Sequence, residues 1–111
     1  MQSVLTNSSM AIVRPCGALN AANATEFQQQ LVEAISADES AALLVDMSQL
    51  ESLDSAGLIS LVSALRLAQQ LSKRFTLCSV SPSIRIIFEL TQLDRAFEMF
   101  DNRSIFEAAV S

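Results

Sequence analysis

The sequence predicts an α/β fold: a small, mostly parallel sheet of four to five strands with about four helices packed against it. Short apolar runs alternate along the chain with longer segments whose apolar residues recur at spacings of three and four. One run, Ala41 to Val45, is continuously apolar, which suits a strand covered on both faces. The third observation is size. A chain of 111 residues, half of them hydrophobic, builds one core without staples, so a single domain over 1–111 is expected.

Residues 1–8 are expected as a flexible tail or an extra edge strand. Met10 to Arg14 is apolar, partly β-branched and stopped by Pro15, which reads as a short strand. Cys16 to Asn20 follows as a turn or a second short extended piece. From Ala22 to Ser36, Ala24, Phe27, Leu31, Ala34 and Ile35 make one helical face, with Asn20 or Asn23 as the cap. The Ala41–Val45 strand ends in Asp46, and a loop from Met47 to Leu53 leads to the second helix, about Ser55 to Leu71. Its stripe is Leu58, Leu61, Val62, Leu65 and Ala68, widened by Ile59 and Leu67, with Ser60, Ser63 and Arg66 outward. Lys73-Arg74 suits the negative end of that helix. Phe75 to Val80 is the next strand. Ser81-Pro82 reads as an N-cap followed by Pro at the first helical position. Ile84, Ile87, Phe88 and Leu90 give the third helix its buried face, and it ends before Asp94. Phe97 to Phe100 makes a short strand, and Asp101 or Asn102 caps a last helix through Ile105, Phe106, Ala109 and Val110.

Composition removes many functions. The net charge is −5 and the seven basic residues are scattered, which argues against direct nucleic-acid binding and for basic protein partners. With no His, the usual general base and any phosphohistidine relay are lost. Two glycines cannot build a phosphate-binding loop. Cys16 and Cys78 fit no metal spacing and read as reduced core thiols. No run is long enough for a membrane span, and MQSVLTNSS lacks the pattern of a signal peptide, so a cytoplasmic, non-enzymatic protein without cofactor is expected.

The informative segment is Leu53-Asp54-Ser55-Ala56-Gly57-Leu58, at the entry to the second helix. A plain helix start explains Asp54 well as a cap and Gly57 poorly, as a residue that only allows close packing, because glycine costs about 1 kcal/mol against alanine in a helix. A nucleophilic Ser55 needs a base, and Lys73, the nearest lysine in sequence, lies at the far end of the same helix. A third reading makes Ser55 a phosphate acceptor. It falls at the first helical position, where free N–H groups stabilise an added anion, and small Ala56 and Gly57 leave room for a partner's active site. Asp46 is equally a strand-end acid capping a nearby loop or a docking contact. Met47, Leu53 and Leu58 read as core and Glu51 as a solvated charge. A phosphoaspartate receiver domain built on Asp46 is rejected, because Arg14-Pro15-Cys16-Gly17 supplies no acid pair for magnesium.

Val45-Asp46-Met47-Ser48 followed by Leu53-Asp54-Ser55-Ala56-Gly57-Leu58 resembles the signature of STAS domains, specifically bacterial anti-sigma factor antagonists (anti-anti-sigma factors). Gly17 to Ala24, Val80 to Ile84 and Leu90 to Phe97 resemble further family segments in the same order. The resemblance implies a STAS-like fold and a partner-switching role in transcription regulation. An unphosphorylated antagonist binds an anti-sigma factor that is commonly also an ATP-dependent serine kinase. Phosphorylation, here at Ser55, releases it, and a metal-dependent serine phosphatase reverses the step. The docking residues implied are Asn20, Asp46, Ser48, Asp54, Ser55, Ala56 and Gly57. Members often carry Asp where Asn20 stands, Ser or Thr where Ala56 stands and a second Gly where Ile59 stands. The alternative is a STAS scaffold or adaptor subunit of a larger signalling or lipid-transport assembly, without a phospho-switch.

Overall fold

The computed structural model describes residues 10–37 and 41–102. The expected tail over 1–8 and the expected last helix beyond its Asp101 or Asn102 cap lie outside them. In chain order the elements are β1 (Met10–Val13), β2 (Gly17–Leu19), α1 (Ala24–Ser36), β3 (Ala42–Asp46), β4 (Leu50–Leu53), α2 (Ser55–Gln70), β5 (Arg74–Cys78), α3 (Pro82–Leu90), a 3₁₀ turn over Leu93–Arg95 and β6 (Glu98–Phe100). The fold is the α/β arrangement expected, with three α-helices among the described residues where about four were expected.

The strands form two sheets. One has the order β1-β3-β5-β6 and is parallel throughout. The other is a two-stranded parallel ladder of β2 and β4. The second strand of that ladder corrects the expectation of a loop from Met47 to Leu53. Leu50-Glu51-Ser52-Leu53 is too short and too polar at its centre to signal a strand alone, and it becomes one by pairing with Gly17–Leu19. Gly17 adopts φ +73°, a left-handed conformation that glycine enters without strain, beside the irregular step in that ladder.

Alternation along each strand sends Leu43, Val45, Phe75 and Leu77 into the main core with Phe27, Leu31, Ile35 and Leu61. Ile12, Leu44 and Cys78 form a second cluster with Met10 and Phe100. Burying each large aliphatic chain contributes about 1.5–3 kcal/mol. Phe97 joins the C-terminal elements to the core, edge-on to Phe88 at 5.4 Å and tilted against Phe75 at 5.8 Å.

Several side chains depart from expectation, each for a local reason. A helix advances about 100° per residue, so Ile59 falls about 140° from the centre of the Leu58–Leu61–Leu65–Ala68 stripe and is 62% exposed instead of widening it. Leu90 likewise points away from Ile84 and Phe88 and is 80% exposed. Ser60, expected outward, is buried, because α1 packs alongside α2 and supplies the Ala24 carbonyl as acceptor at 3.1 Å. Cys16, expected in the core, is exposed, because it follows β1 instead of lying within it. Lys73 serves a different helix end from the one anticipated: its Nζ donates to the carbonyls of Ile35 and Ala37 at the C-terminus of α1. It thereby ties the turn after α2 to the end of α1.

Candidate functional site

The β2–β4 ladder sets up the site. Leu19 and Leu53 are register partners at the ends of their strands, and each strand runs almost directly into a helix. Two helix N-termini are therefore held side by side. The ladder is closed by Asp54, whose N–H donates to the Leu19 carbonyl at 3.1 Å. At the start of α1, the Asn20 carbonyl accepts from the N–H groups of Asn23 and Ala24. The Asn20 side chain accepts from the Ala22 N–H at 2.9 Å. Asn23 occupies the cap position but aims its side chain backwards, accepting from the Asn20 N–H and donating to the Ala18 carbonyl. Asparagine side chains thus fix the turn, and the first N–H groups of α1 are left to other acceptors.

At the start of α2, Asp54 has extended backbone angles and its Oδ1 accepts from the Gly57 N–H at 3.1 Å. This is the N-cap expected from the sequence, and such a cap contributes about 1 kcal/mol. Ser55 then occupies the first helical position and is exposed, as is Asp54. With the Gly57 donor taken by the cap, the N–H groups of Ser55 and Ala56 have no intrahelical acceptor and face the positive end of the helix dipole. The arrangement presents a hydroxyl to solvent where an attached anion is favoured.

Gly57 turns the other way. It is buried, and a Cβ built on it would meet Leu53 Cδ1 at 2.7 Å, Leu19 Cγ at 2.8 Å and the Leu19 carbonyl oxygen at 3.0 Å. The expectation that Gly57 clears space for a partner is corrected: its missing side chain lets α2 approach β2 and β4. Ala56 is half-buried next to it.

Asp46 and Ser48 occupy a different corner. By strand alternation Asp46 shares the sheet face of Leu44, away from the main helical core. Its carboxylate is buried, pairing with the Arg14 Nε at 3.2 Å and accepting from the Ser48 N–H at 3.0 Å. Burial pushes this carboxyl up, but the N–H and hydroxyl of Ser48 and the Arg14 guanidinium outweigh it and hold Asp46 below the usual carboxylate range. Of the two readings open in the sequence, the loop cap is seen in the Ser48 contact, and the Arg14 ion pair adds a tie to the end of β1. Ser48 itself is exposed. Neutralising Asp46 by Asp46→Asn is expected to cost about 1 kcal/mol in urea unfolding at pH 7, with Arg14 partly solvated and so contributing little. Because the folded pKa is lowered, the contribution is complete above the usual carboxylate range. It is lost as pH falls through the folded pKa, so wild type and variant should converge in acid.

The structure brings Asn20, Asp54, Ser55, Ala56 and Gly57 together at the paired helix starts and sets Asp46 apart. The sequence reading missed Ile59 as a surface residue of this site. It lies on α2 in the turn after Ser55, and the signal was its angular offset from the apolar stripe. Among the described residues no group of three His, Cys, Asp or Glu is placed to hold a metal ion. No helix among them is long and apolar enough to cross a membrane.

The family model of the STAS domain matches residues 2–104 of this chain. The chain belongs to that family. It is similar to BtrV of Bordetella bronchiseptica, assigned as an anti-sigma factor antagonist, with 27% identity over 93 residues that span 84% of this chain and 79% of BtrV. Among solved structures, TM1081 of Thermotoga maritima, also assigned as an anti-sigma factor antagonist, superposes with a TM-score of 0.87 at 24% identity, covering 98% of this chain and 91% of that one. The anti-sigma factor antagonist SpoIIAA of Bacillus, solved in its phosphorylated form, superposes with a TM-score of 0.72 at 17% identity, covering 97% of each chain. Its unphosphorylated form superposes comparably, with a TM-score of 0.73 at 18% identity, covering 97% of this chain and 94% of that one.

Proposed function

We propose that this protein is an anti-sigma factor antagonist whose binding is switched at Ser55. With Ser55 free, the paired helix starts dock on an anti-sigma factor that is also a serine kinase. Transfer of the ATP γ-phosphoryl to the Ser55 oxygen, with the bond to the β–γ bridging oxygen broken, ADP leaving and the hydroxyl proton lost to a base of the kinase, ends the association. A serine phosphatase restores the hydroxyl. ATP and its magnesium belong to the kinase, and this chain supplies only the acceptor and the surface around it.

The observation that carries the reading is the exposed Ser55 at the first position of α2, behind a cap supplied by Asp54. Phosphate there adds about −1.5 to −2 charge next to unsatisfied N–H groups, so the fold accepts it. A docked surface that has excluded water must desolvate or repel the same charge. The existence of SpoIIAA in phosphorylated and unphosphorylated forms supports this, since a related fold carries the modification. Incubating the chain with the anti-sigma-type serine kinases of its own genome and ATP, followed by mass mapping, should find phosphate on Ser55 and none on a Ser55→Ala variant. Phosphate elsewhere, or none with any such kinase, would sink the reading.

A further inference from the structure

We propose that Ile59 is the specificity-determining contact for the kinase that acts at Ser55, an inference that rests on the reading of Ser55 as the acceptor. Ile59 is 62% exposed, while Leu58, Leu61 and Leu65 of the same helix are all buried. The core has no use for it. Folding of the helix does not favour it either, since a β-branched residue on a solvated helical face is less favourable than alanine.

Its position relative to Ser55 supplies the reason. The two residues are four apart in one continuous helix, which places their Cβ atoms about 5–6 Å from each other on one face. Phosphoryl transfer requires the donor and the Ser55 oxygen to approach within about 3–3.5 Å. A protein that closes around that oxygen necessarily overlies the next turn of α2, and the side chain it meets there is Ile59. The half-buried Val62 and the exposed Arg66 continue the same face. On the other side of Ser55 stands the exposed acid Asp54, its neighbour in the chain. The complementary kinase surface is therefore cationic at the transfer end and carries an apolar recess one helical turn away. A kinase without that recess is held off by the branched side chain, so one residue both anchors the correct enzyme and excludes others.

The test uses the full chain and the kinase that modifies wild-type Ser55 in the mapping experiment. Steady-state phosphorylation of Ile59→Ala should show KM raised about tenfold, the scale of a truncated interface anchor, with kcat retained. Leu90→Ala, which truncates an exposed aliphatic side chain on α3 instead, should leave KM unchanged. The melting temperature of Ile59→Ala should equal or exceed that of wild type, because alanine is the better helix former. Affinity and stability then move in opposite directions, which a structural role for Ile59 does not allow. An unchanged KM in a folded Ile59→Ala variant overturns the inference and leaves Ser55 as acceptor. Equal rises in KM for Ile59→Ala and Leu90→Ala also overturn it. Absence of phosphate on wild-type Ser55 overturns both this inference and the reading on which it rests.

Discussion

Ser55→Asp should weaken binding to the anti-sigma kinase about a hundredfold while leaving the melting temperature near that of wild type. The two effects separate because they draw on different surroundings of one side chain. Within the free protein, a carboxylate at the first helical position gains about 0.3–1 kcal/mol from the helix dipole and offsets that against repulsion from Asp54. Within a complex, the same charge lies in an interface from which water has been expelled, beside the exposed Asp54. Like charges brought together in such a place cost several kcal/mol, and about 2.7 kcal/mol corresponds to a hundredfold. Isothermal titration with the kinase checks the first effect and thermal unfolding the second. A Ser55→Asp protein that binds as tightly as wild type would remove the electrostatic basis of the switch.

Gly57→Ala tests the geometry beneath the serine. In an ordinary helix this change stabilises by about 1 kcal/mol. Here the added methyl meets Leu53 and Leu19 side-chain atoms at 2.7 and 2.8 Å and the Leu19 carbonyl oxygen at 3.0 Å. The leucine tips have core neighbours, and the carbonyl is held by the Asp54 N–H. Overpacking of this kind costs about 1–3 kcal/mol, so with the propensity gain offset the net expectation is a loss centred on about 1 kcal/mol, opposite in sign to helix propensity. For a domain of this size that is a fall of roughly 5 °C in melting temperature. The relief available is to push α2 off the β2–β4 ladder, which moves Ser55 relative to Asn20. Phosphorylation of Gly57→Ala should therefore slow as well. A variant as stable as wild type would show that the close approach is not required.

Period and punctuation carried most of the fold. The alternation of apolar runs with helical spacings located β1, β3, β5 and all three described helices, because each is long or apolar enough to declare its own period. The caps at Asp54 and Ser81 were equally legible, since a cap is a contact between residues three apart in sequence. What failed was non-local. β4 exists as a strand through its pairing with β2, more than thirty residues away in the chain. Ser60 reads as a wet-side residue because nothing local reveals the α1 carbonyl waiting for it. Lys73 reads as belonging to α2, its nearest helix in sequence, when α1 is the one it reaches in space.

The site divides along the same line. The chemistry at Ser55 was readable from six consecutive residues, because a capped helix start makes its own anion-favouring field from adjacent peptide groups. Only the tertiary structure decided which neighbours share that field. The parallel ladder brings the Asn20 turn beside Asp54, and strand alternation carries Asp46 to the other face of the sheet and commits it to Arg14 and Ser48. Gly57 changed meaning for the same reason: a missing side chain is visible in the sequence, but whether the gap faces a partner or a packed leucine depends on chain segments far apart. Local hydrogen bonding and dipoles are set by neighbours in the chain, whereas burial and docking are set by whatever the fold brings alongside.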